Sequence, residues 1–567
     1  MMKARMRVGD FLVAYLQKIG VTHLFGIPGD LVINLFFKFG RPRGMKIVTL
    51  SHEPGIGFAA DGYARATGRI GVVCVTYGAG GFNMVNPVAG SFSERVPILV
   101  VSGGPGEEER KLGQLIHHQA KEIESQFKVY DEITCASAIL DDPRRIAGEV
   151  DRVVRAIWRE QRPGYLEIHR DMVDRVIEVP AEIRSWDGGL EFARSDERKT
   201  AEAARETATR FNAAKKPAVI VGIETFRYKL QREVVQLVEQ MGAPCMTTVL
   251  GKGAFPMDHP QAMGVHIGPL SPPTIRRRID VADLVINLGT LLTDMNLGSR
   301  APQITRDRSI WAVGNRVNVS CHTYTDVGIR DFVRALQRER LRRHRETVVY
   351  ADNLKPARGP LGRAITVADM LREVNRFLDG KRGWAVIAES GDMLFAGLDV
   401  KIGRGGAYLA QGYYASMGFG VPGALGLEIG SGKRPIVLCG DGAFQMTGAE
   451  IAQAPRHGLR PIVVLMNNGG WGIFRPIAER EDLLTIPNWP YAEMARAWGG
   501  SGYVASTVAE FREALADAEH ASSFALIETR VDPHDLSPVS KKYIEASARK
   551  AGVRKKTAAA RKRVTIG

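Results

Sequence analysis

Short apolar runs recur along the chain, each closed by glycine, proline or a small polar cluster. Leu24-Phe25, Ile47 to Leu50, Gly71 to Tyr77, Val96 to Ser102 and Tyr165 to Ile168 open the series. Pro217 to Val221, Leu284 to Leu288 and Ser309 to Val313 continue it, and Trp384 to Ala388, Ile436 to Cys439 and Pro461 to Met466 complete it. Apolar runs that do not alternate with polar residues are strands buried on both faces, as in parallel sheets. Helix-length segments lie between them. Phe11 to Leu16, with Asp10 before it, reads as an amphipathic first helix rather than a leader sequence. The pattern predicts an α/β protein of three doubly wound domains with mostly parallel sheets. The blocks are residues 1–180, 200–345 and 366–540, joined by linkers at 181–199 and 346–365.

One unit carries chemistry. The strand Ile436 to Cys439 runs straight into Gly440-Asp441-Gly442-Ala443. A helix-like segment, Gly448 to His457, follows, and the next strand ends on Asn467-Asn468. A strand–helix–strand unit sets neighbouring strands parallel, with both C-terminal ends at one edge. Asp441 and Asn468, 27 residues apart, are therefore expected close together. A carboxylate and an amide oxygen suit a hard divalent cation. The flanking glycines let backbone N–H groups approach an anion, so the unit reads as a metal-bridged diphosphate site. An internal echo accompanies it. Gly78-Ala79-Gly80-Gly81-Phe82-Asn83-Met84, a helix and Val96 to Val101 repeat the plan. Ala79 stands where Asp441 does, so only the later unit is expected to hold metal.

Composition narrows the class. Apolar residues make up 45% and charged residues 25% of the 567, enough for large cores. Five scattered cysteines offer neither zinc spacing nor a disulfide framework, and a reducing cytoplasm is the expectation. No apolar run is long enough to cross a membrane. Residues 541–567 hold ten Lys or Arg against one acid, Glu545, and so account for most of the net charge of +15. This segment is expected to be a basic tail, largely disordered beyond about residue 548, with nucleic-acid binding disfavoured. In the middle block, Gly222-Ile223-Glu224-Thr225 follows the strand at Val221, so no dinucleotide fingerprint is present.

Gly440 to Asn468 resembles the thiamin-diphosphate motif of the 2-oxo acid decarboxylase and acetolactate synthase superfamily. The resemblance implies thiamin diphosphate and Mg2+, with Asp441, Asn468 and the Gly470 carbonyl as metal ligands and Gly440, Gly442 and Ala443 beside the diphosphate. It gives other residues roles as well. Glu53, in Ser51-His52-Glu53-Pro54, alone reads as a helix cap; in the family this glutamate bonds the pyrimidine nitrogen N1′. Ser390, Gly391 and Asp392 match another cofactor contact, the Ala415 carbonyl an acceptor from the pyrimidine amino group, and Met417 the apolar prop beneath the bent cofactor. His117 and His118 match the paired histidines of the decarboxylase branch, which acetolactate synthases lack, and Asp30 the acid that works with them.

Phe474 departs from pyruvate decarboxylases, which carry glutamate there. Together with Trp471 it implies an apolar substrate pocket. Leu288 to Asn296 resembles the phenylpyruvate and indolepyruvate decarboxylase type, in which the acid matched by Asp294 approaches the site from the middle domain. The resemblance spans residues 7 to about 540. It implies non-oxidative decarboxylation of a bulky, aromatic 2-oxo acid by a dimer or tetramer with sites at subunit interfaces. Branched-chain 2-oxo acid decarboxylation and an acetolactate-synthase-like carboligase are the alternatives.

Overall fold

Three parallel-stranded sheets organise the computed structural model, which describes residues 2–41, 44–298, 304–403 and 405–550. The first sheet contains β1 (His23–Gly26), β2 (Lys46–Val48), β3 (Gly71–Val75), β4 (Ile98–Gly104), β5 (Ala136–Leu140) and β6 (Gly164–His169), in the order β2-β1-β3-β4-β6-β5. The middle sheet has seven strands, β7 (Pro217–Val221), β8 (Cys245–Thr248), β9 (Ala262–His266), β10 (Leu284–Leu288), β11 (Ser309–Val313), β12 (Arg316–Val319) and β13 (His322–Thr325). Its order is β9-β8-β7-β10-β11-β12-β13, and β12 and β13 are antiparallel additions at one edge. The third sheet comprises β14 (Trp384–Ala388), β15 (Ala407–Ala410), β16 (Arg434–Gly440), β17 (Ile462–Asn467), β18 (Ser501–Ala505) and β19 (Ala525–Arg530). Its order, β15-β14-β16-β17-β19-β18, is that of the first sheet. The echo between Gly78 and Gly440 is therefore the visible part of a repeated fold.

The helices that matter for the site are α1 (Val8–Lys18), α2 (Glu53–Thr67), α3 (Ala79–Asn83), α4 (Val85–Ser93), α5 (Asp392–Ala396), α6 (Gly420–Ser431), α7 (Asp441–Thr447) and α8 (Pro538–Lys550). As the pattern predicts, α1 is amphipathic and buries Phe11, Leu12 and Leu16. The first and third sheets share one core, in which Phe58 meets Phe419 edge to face. Helices α2 and α6 cross at backbone contact. A methyl group on Gly62 would lie 2.1 Å from the Gly423 carbonyl, and one on Gly426 would lie 1.8 Å from that of Ala59. Glycine at both positions lets the two helices touch.

Two expectations need correction. The helix after β16 starts at Asp441, not Gly448; a 3-10 segment, Gly448–Gln453, follows it. Residues 541–550, assigned to the basic tail, lie in α8. Val539, Tyr543 and Ala546 pack against the third domain, and Ile544 is 2% exposed, so this stretch does have an apolar face. Residues 551–567 lie outside the described residues. No helix among the described residues is long and apolar enough to cross a membrane.

Candidate active site

Strands β16 and β17 are paired in parallel, with Gly440 opposite Met466. Their C-terminal ends lie near the point where the strand order reverses, between β14 and β16, the usual place for ligands in an open α/β sheet. Asp441 opens α7. Its carboxylate accepts from its neighbour's N–H, Gly442 at 2.8 Å, and from the Gly470 N–H at 3.0 Å. Burial to 2% exposure raises the Asp441 pKa, and N–H groups of Gly442, Gly470, Gly469 and Asn468 oppose the rise. Asn468, from the end of β17, is 3% exposed, and its amide Oδ1 has no partner. An orphaned buried acceptor beside a buried carboxylate is a costly arrangement unless a cation satisfies both. Gly470 has φ +147°, and a methyl group there would lie 1.9 Å from the Leu484 carbonyl. Only glycine fits this backbone, and its carbonyl accepts from the Gly472 N–H at 2.8 Å. Carboxylate, amide oxygen and carbonyl form an all-oxygen set that fits Mg2+. Methyl groups added at Gly440, Gly469 and Gly391 would meet nothing within 4 Å, so the space in front of these backbones is open.

Ser390 and Gly391 continue the floor from the end of β14. Ser390 Oγ donates to the Ser416 carbonyl at 3.0 Å. The Asp392 carboxylate is fully used elsewhere: it accepts from Ser537 Oγ at 2.7 Å and from the Ser537 N–H at 3.1 Å. That leaves the Asp392 backbone, not its side chain, for a cofactor. Ala415 has φ +55°, a conformation that costs a residue with a side chain about 1–3 kcal/mol. Such strain persists where the surroundings hold it. Met417, two residues on, rests on the shared core.

Glu53 is the first residue of α2, and Asn83 Nδ2 donates to its Oε2 at 3.1 Å. Across the Gly78 turn from it sits a second cluster. His117 Nε2 bonds Asp30 Oδ2, and His118 Nε2 lies 3.8 Å from Asp30 Oδ1. The two imidazoles are 4.8 Å apart. Burial raises the Asp30 pKa, but the His117 hydrogen bond, the Leu31 N–H and both imidazole charges outweigh it and leave it below the ordinary value. His118 itself has φ +69°. Its carbonyl lies 2.0 Å from where a side chain on Gly78 would begin, so the histidine loop rests directly on that glycine.

Comparison with known proteins places the chain in a family. Residues 6–129 match the family model described as thiamine pyrophosphate enzyme, N-terminal TPP binding domain. Residues 204–338 match the central domain and residues 390–529 the C-terminal TPP binding domain of the same enzymes. The chain is 36% identical over 552 residues to an indole-3-pyruvate decarboxylase of Azospirillum brasilense, covering 96% of this chain and 99% of that protein. The chain belongs to the thiamin-diphosphate-dependent 2-oxo acid decarboxylases. Others in that family include a pyruvate decarboxylase of Candida glabrata, 28% identical over 88% of this chain and 89% of its own length. An alpha-keto-acid decarboxylase of Mycolicibacterium paratuberculosis is also 28% identical, over 92% of this chain and 93% of its own.

In this decarboxylase several supporting residues had no local signal. Glu389, at 1% exposure, accepts from the N–H groups of Ser390 at 2.8 Å and Gly420 at 2.6 Å, tying β14 to α6. Burial pushes its carboxyl up to about 7. Glu94, wholly buried, accepts from the N–H groups of Tyr413 at 2.6 Å and Tyr414 at 2.9 Å, directly before strained Ala415. Glu450 accepts from the N–H groups of Ser51 and His52 at 2.8 and 3.0 Å, joining the third domain to the approach to Glu53. Gln126 accepts from the Gly78 N–H at 2.7 Å. The remaining sequence candidates are dispersed. Trp471 packs over Gly442, where an added methyl would come within 2.3 Å of its ring. Phe474, on the 3-10 turn Gly472–Ile477, is 50% exposed. Asp294 is exposed, and its carboxylate caps the Met295 N–H at 2.9 Å.

Proposed function

We propose that this decarboxylase acts on a 2-oxo acid with a bulky, aromatic side chain, such as phenylpyruvate or indole-3-pyruvate, and releases CO2 and the aldehyde. The observation that carries the substrate reading is Phe474. It puts an exposed ring six residues beyond Asn468, where the resembled pyruvate decarboxylases carry glutamate. An aromatic side chain gains from an apolar wall and loses little there. The identity to an indole-3-pyruvate decarboxylase supports the same reading.

Residues 1–180 then serve the pyrimidine end of the cofactor and residues 366–540 the diphosphate end, with 200–345 as the middle domain. Asp441 and Asn468 side chains and the Gly470 carbonyl would hold Mg2+, and Gly440, Gly442, Ala443 and the Ser390-Gly391-Asp392 backbone the diphosphate. Ala415 and Met417 would orient the pyrimidine. When bound, thiamin diphosphate would supply the nucleophilic carbon and the electron sink that loss of CO2 needs. Glu53 holds a proton at the pyrimidine nitrogen N1′, with Asn83 fixing its Oε2. Asp30, kept ionised by the imidazoles, orients them. His117 Nε2 and His118 Nε2 hold the proton destined for the product carbon. Trp471, packed over Gly442, and Phe474 would wall the substrate, and Asp294 would approach it from the middle domain.

We also infer a cytoplasmic enzyme that self-associates as a dimer or tetramer. Tyr413 (43% exposed), Tyr414 (38%) and Met446 (53%) leave apolar surface beside the site, which suits a covering subunit. Turnover of phenylpyruvate, indole-3-pyruvate, branched 2-oxo acids and pyruvate with Mg2+ and thiamin diphosphate tests the substrate reading. The expected order puts an aromatic acid first in kcat/KM. A lead for pyruvate, or acetolactate as product, overturns it.

A further inference from the structure

The Asp30–His117–His118 cluster has a property that proton transfer alone does not require. One ligand atom from each residue, the two imidazole nitrogens and a carboxylate oxygen, all lie within 4.8 Å of one another. All three side chains are open to solvent, at 51%, 55% and 35% exposure, so an ion can reach them without moving the backbone. We propose that Asp30, His117 and His118 form a second cation site in this enzyme, one that takes a borderline transition-metal ion such as Zn2+ and not Mg2+.

The chemistry separates the two sites. Asp441, Asn468 and Gly470 offer only oxygen, the donor Mg2+ prefers. Two imidazoles and one carboxylate make a mixed nitrogen–oxygen set, which binds Zn2+, Co2+, Ni2+ or Cu2+ far better than Mg2+. A tetrahedral Zn2+ with bonds of about 2.0–2.1 Å holds its ligands roughly 3.3 Å apart, so a pair at the 4.8 Å limit needs to close by about 1.5 Å while the hydrogen-bonded His117–Asp30 pair opens slightly. The structure favours that closure. Both Nε2 atoms already face the same carboxylate, and the His118 backbone is braced against Gly78. An ion seated there takes the lone pairs that the reaction needs, and the enzyme stops. The binding half of this proposal stands on geometry alone; the inhibition half rests on the functional reading above.

The test uses the holoenzyme with saturating thiamin diphosphate and excess Mg2+. Equilibrium dialysis against Zn2+, with Co2+ absorption as a spectroscopic reporter of imidazole ligation, is expected to find one further ion per chain. Each of His117→Ala and Asp30→Asn removes a ligand and is expected to weaken Zn2+ by more than the roughly 10–100-fold that loss of an outer-shell partner costs. Zn2+ is expected to inhibit turnover, with recovery on adding a Zn2+-selective chelator and none on adding more Mg2+. Unchanged Zn2+ affinity in both variants overturns the site. Relief by Mg2+ also overturns it, because the ion is then competing at Asp441. If the wild-type enzyme binds Zn2+ as described but turns over no 2-oxo acid, the functional reading fails and the site stands.

Discussion

Replacing Asn468 by leucine separates the cost of the metal site from its use. Asn468 Oδ1 is buried with no protein partner, and an acceptor left so costs about 1–3 kcal/mol. Leucine is similar in size and has no acceptor to strand, so the free protein is expected to gain up to that amount. For a domain of this size each kcal/mol moves the melting temperature by about 2–4 °C. The cofactor tells the opposite story. Mg2+ and thiamin diphosphate at a hundred times their dissociation constant stabilise the wild type by about 2.7 kcal/mol. A tenfold loss of affinity removes about 1.4 kcal/mol of that. Asn468→Leu is thus expected to melt higher than the wild type without cofactor and to show a reduced cofactor-dependent rise. Differential scanning calorimetry with and without Mg2+ and thiamin diphosphate measures both. A variant that melts lower when free, yet keeps the full cofactor shift, would show that Asn468 is a structural amide and not a ligand.

Three further outcomes follow from the geometry. Glu53→Gln keeps the Asn83 contact but cannot shuttle the proton, so kcat is expected to fall by about 10²–10⁴ with cofactor affinity little changed, read by steady-state kinetics and a binding titration. Glu94→Ala strands two N–H groups ahead of Ala415, and the expected result is weaker thiamin diphosphate binding at nearly intact secondary structure, measured by cofactor titration and circular dichroism. For Asp369, burial raises the pKa, but bonds from Arg363 and Thr366 outweigh this and hold it at about 2, against an ordinary 3.8. A depressed folded value means stability that is present above the unfolded value and lost as pH falls. The acid limb of the melting curve between about pH 4 and pH 2 should therefore flatten in Asp369→Asn, which is checked by thermal melts across that range.

What the sequence reveals and what it hides divide along a physical line. Strands buried on both faces announce themselves as unbroken apolar runs, which is why β3, β7, β10, β14 and β17 are readable. The hairpin β12–β13 is not, because Arg316, His322 and Thr323 face solvent and break the run. Metal-site candidates are readable because Asp441 and Asn468 sit at the ends of neighbouring strands that a short helical connection joins. Even so, the helix start is misplaced. Asp441 caps its own neighbour Gly442 and begins the helix at once, whereas Gly448, where the Phe444 ring leaves no room for a side chain, starts the change to 3-10 geometry.

The residues that hold the site in shape leave no local trace at all. Glu94 meets Tyr413 across 319 positions and Glu450 meets Ser51 across 399. Each is a buried carboxylate that accepts from two consecutive backbone N–H groups in another domain. No periodicity or motif can mark such a contact, because its partner is backbone and carries no side-chain signature. Yet these two contacts bear on opposite ends of the site, Glu94 on the loop before Ala415 and Glu450 on the turn before Glu53. Carboxylates buried this deeply are expensive unless well bonded, and both bond across the contact between the first and third domains. The chemistry can therefore be read from motifs, but the relative placement of Glu53 and Met417 depends on glutamates whose role only the fold reveals.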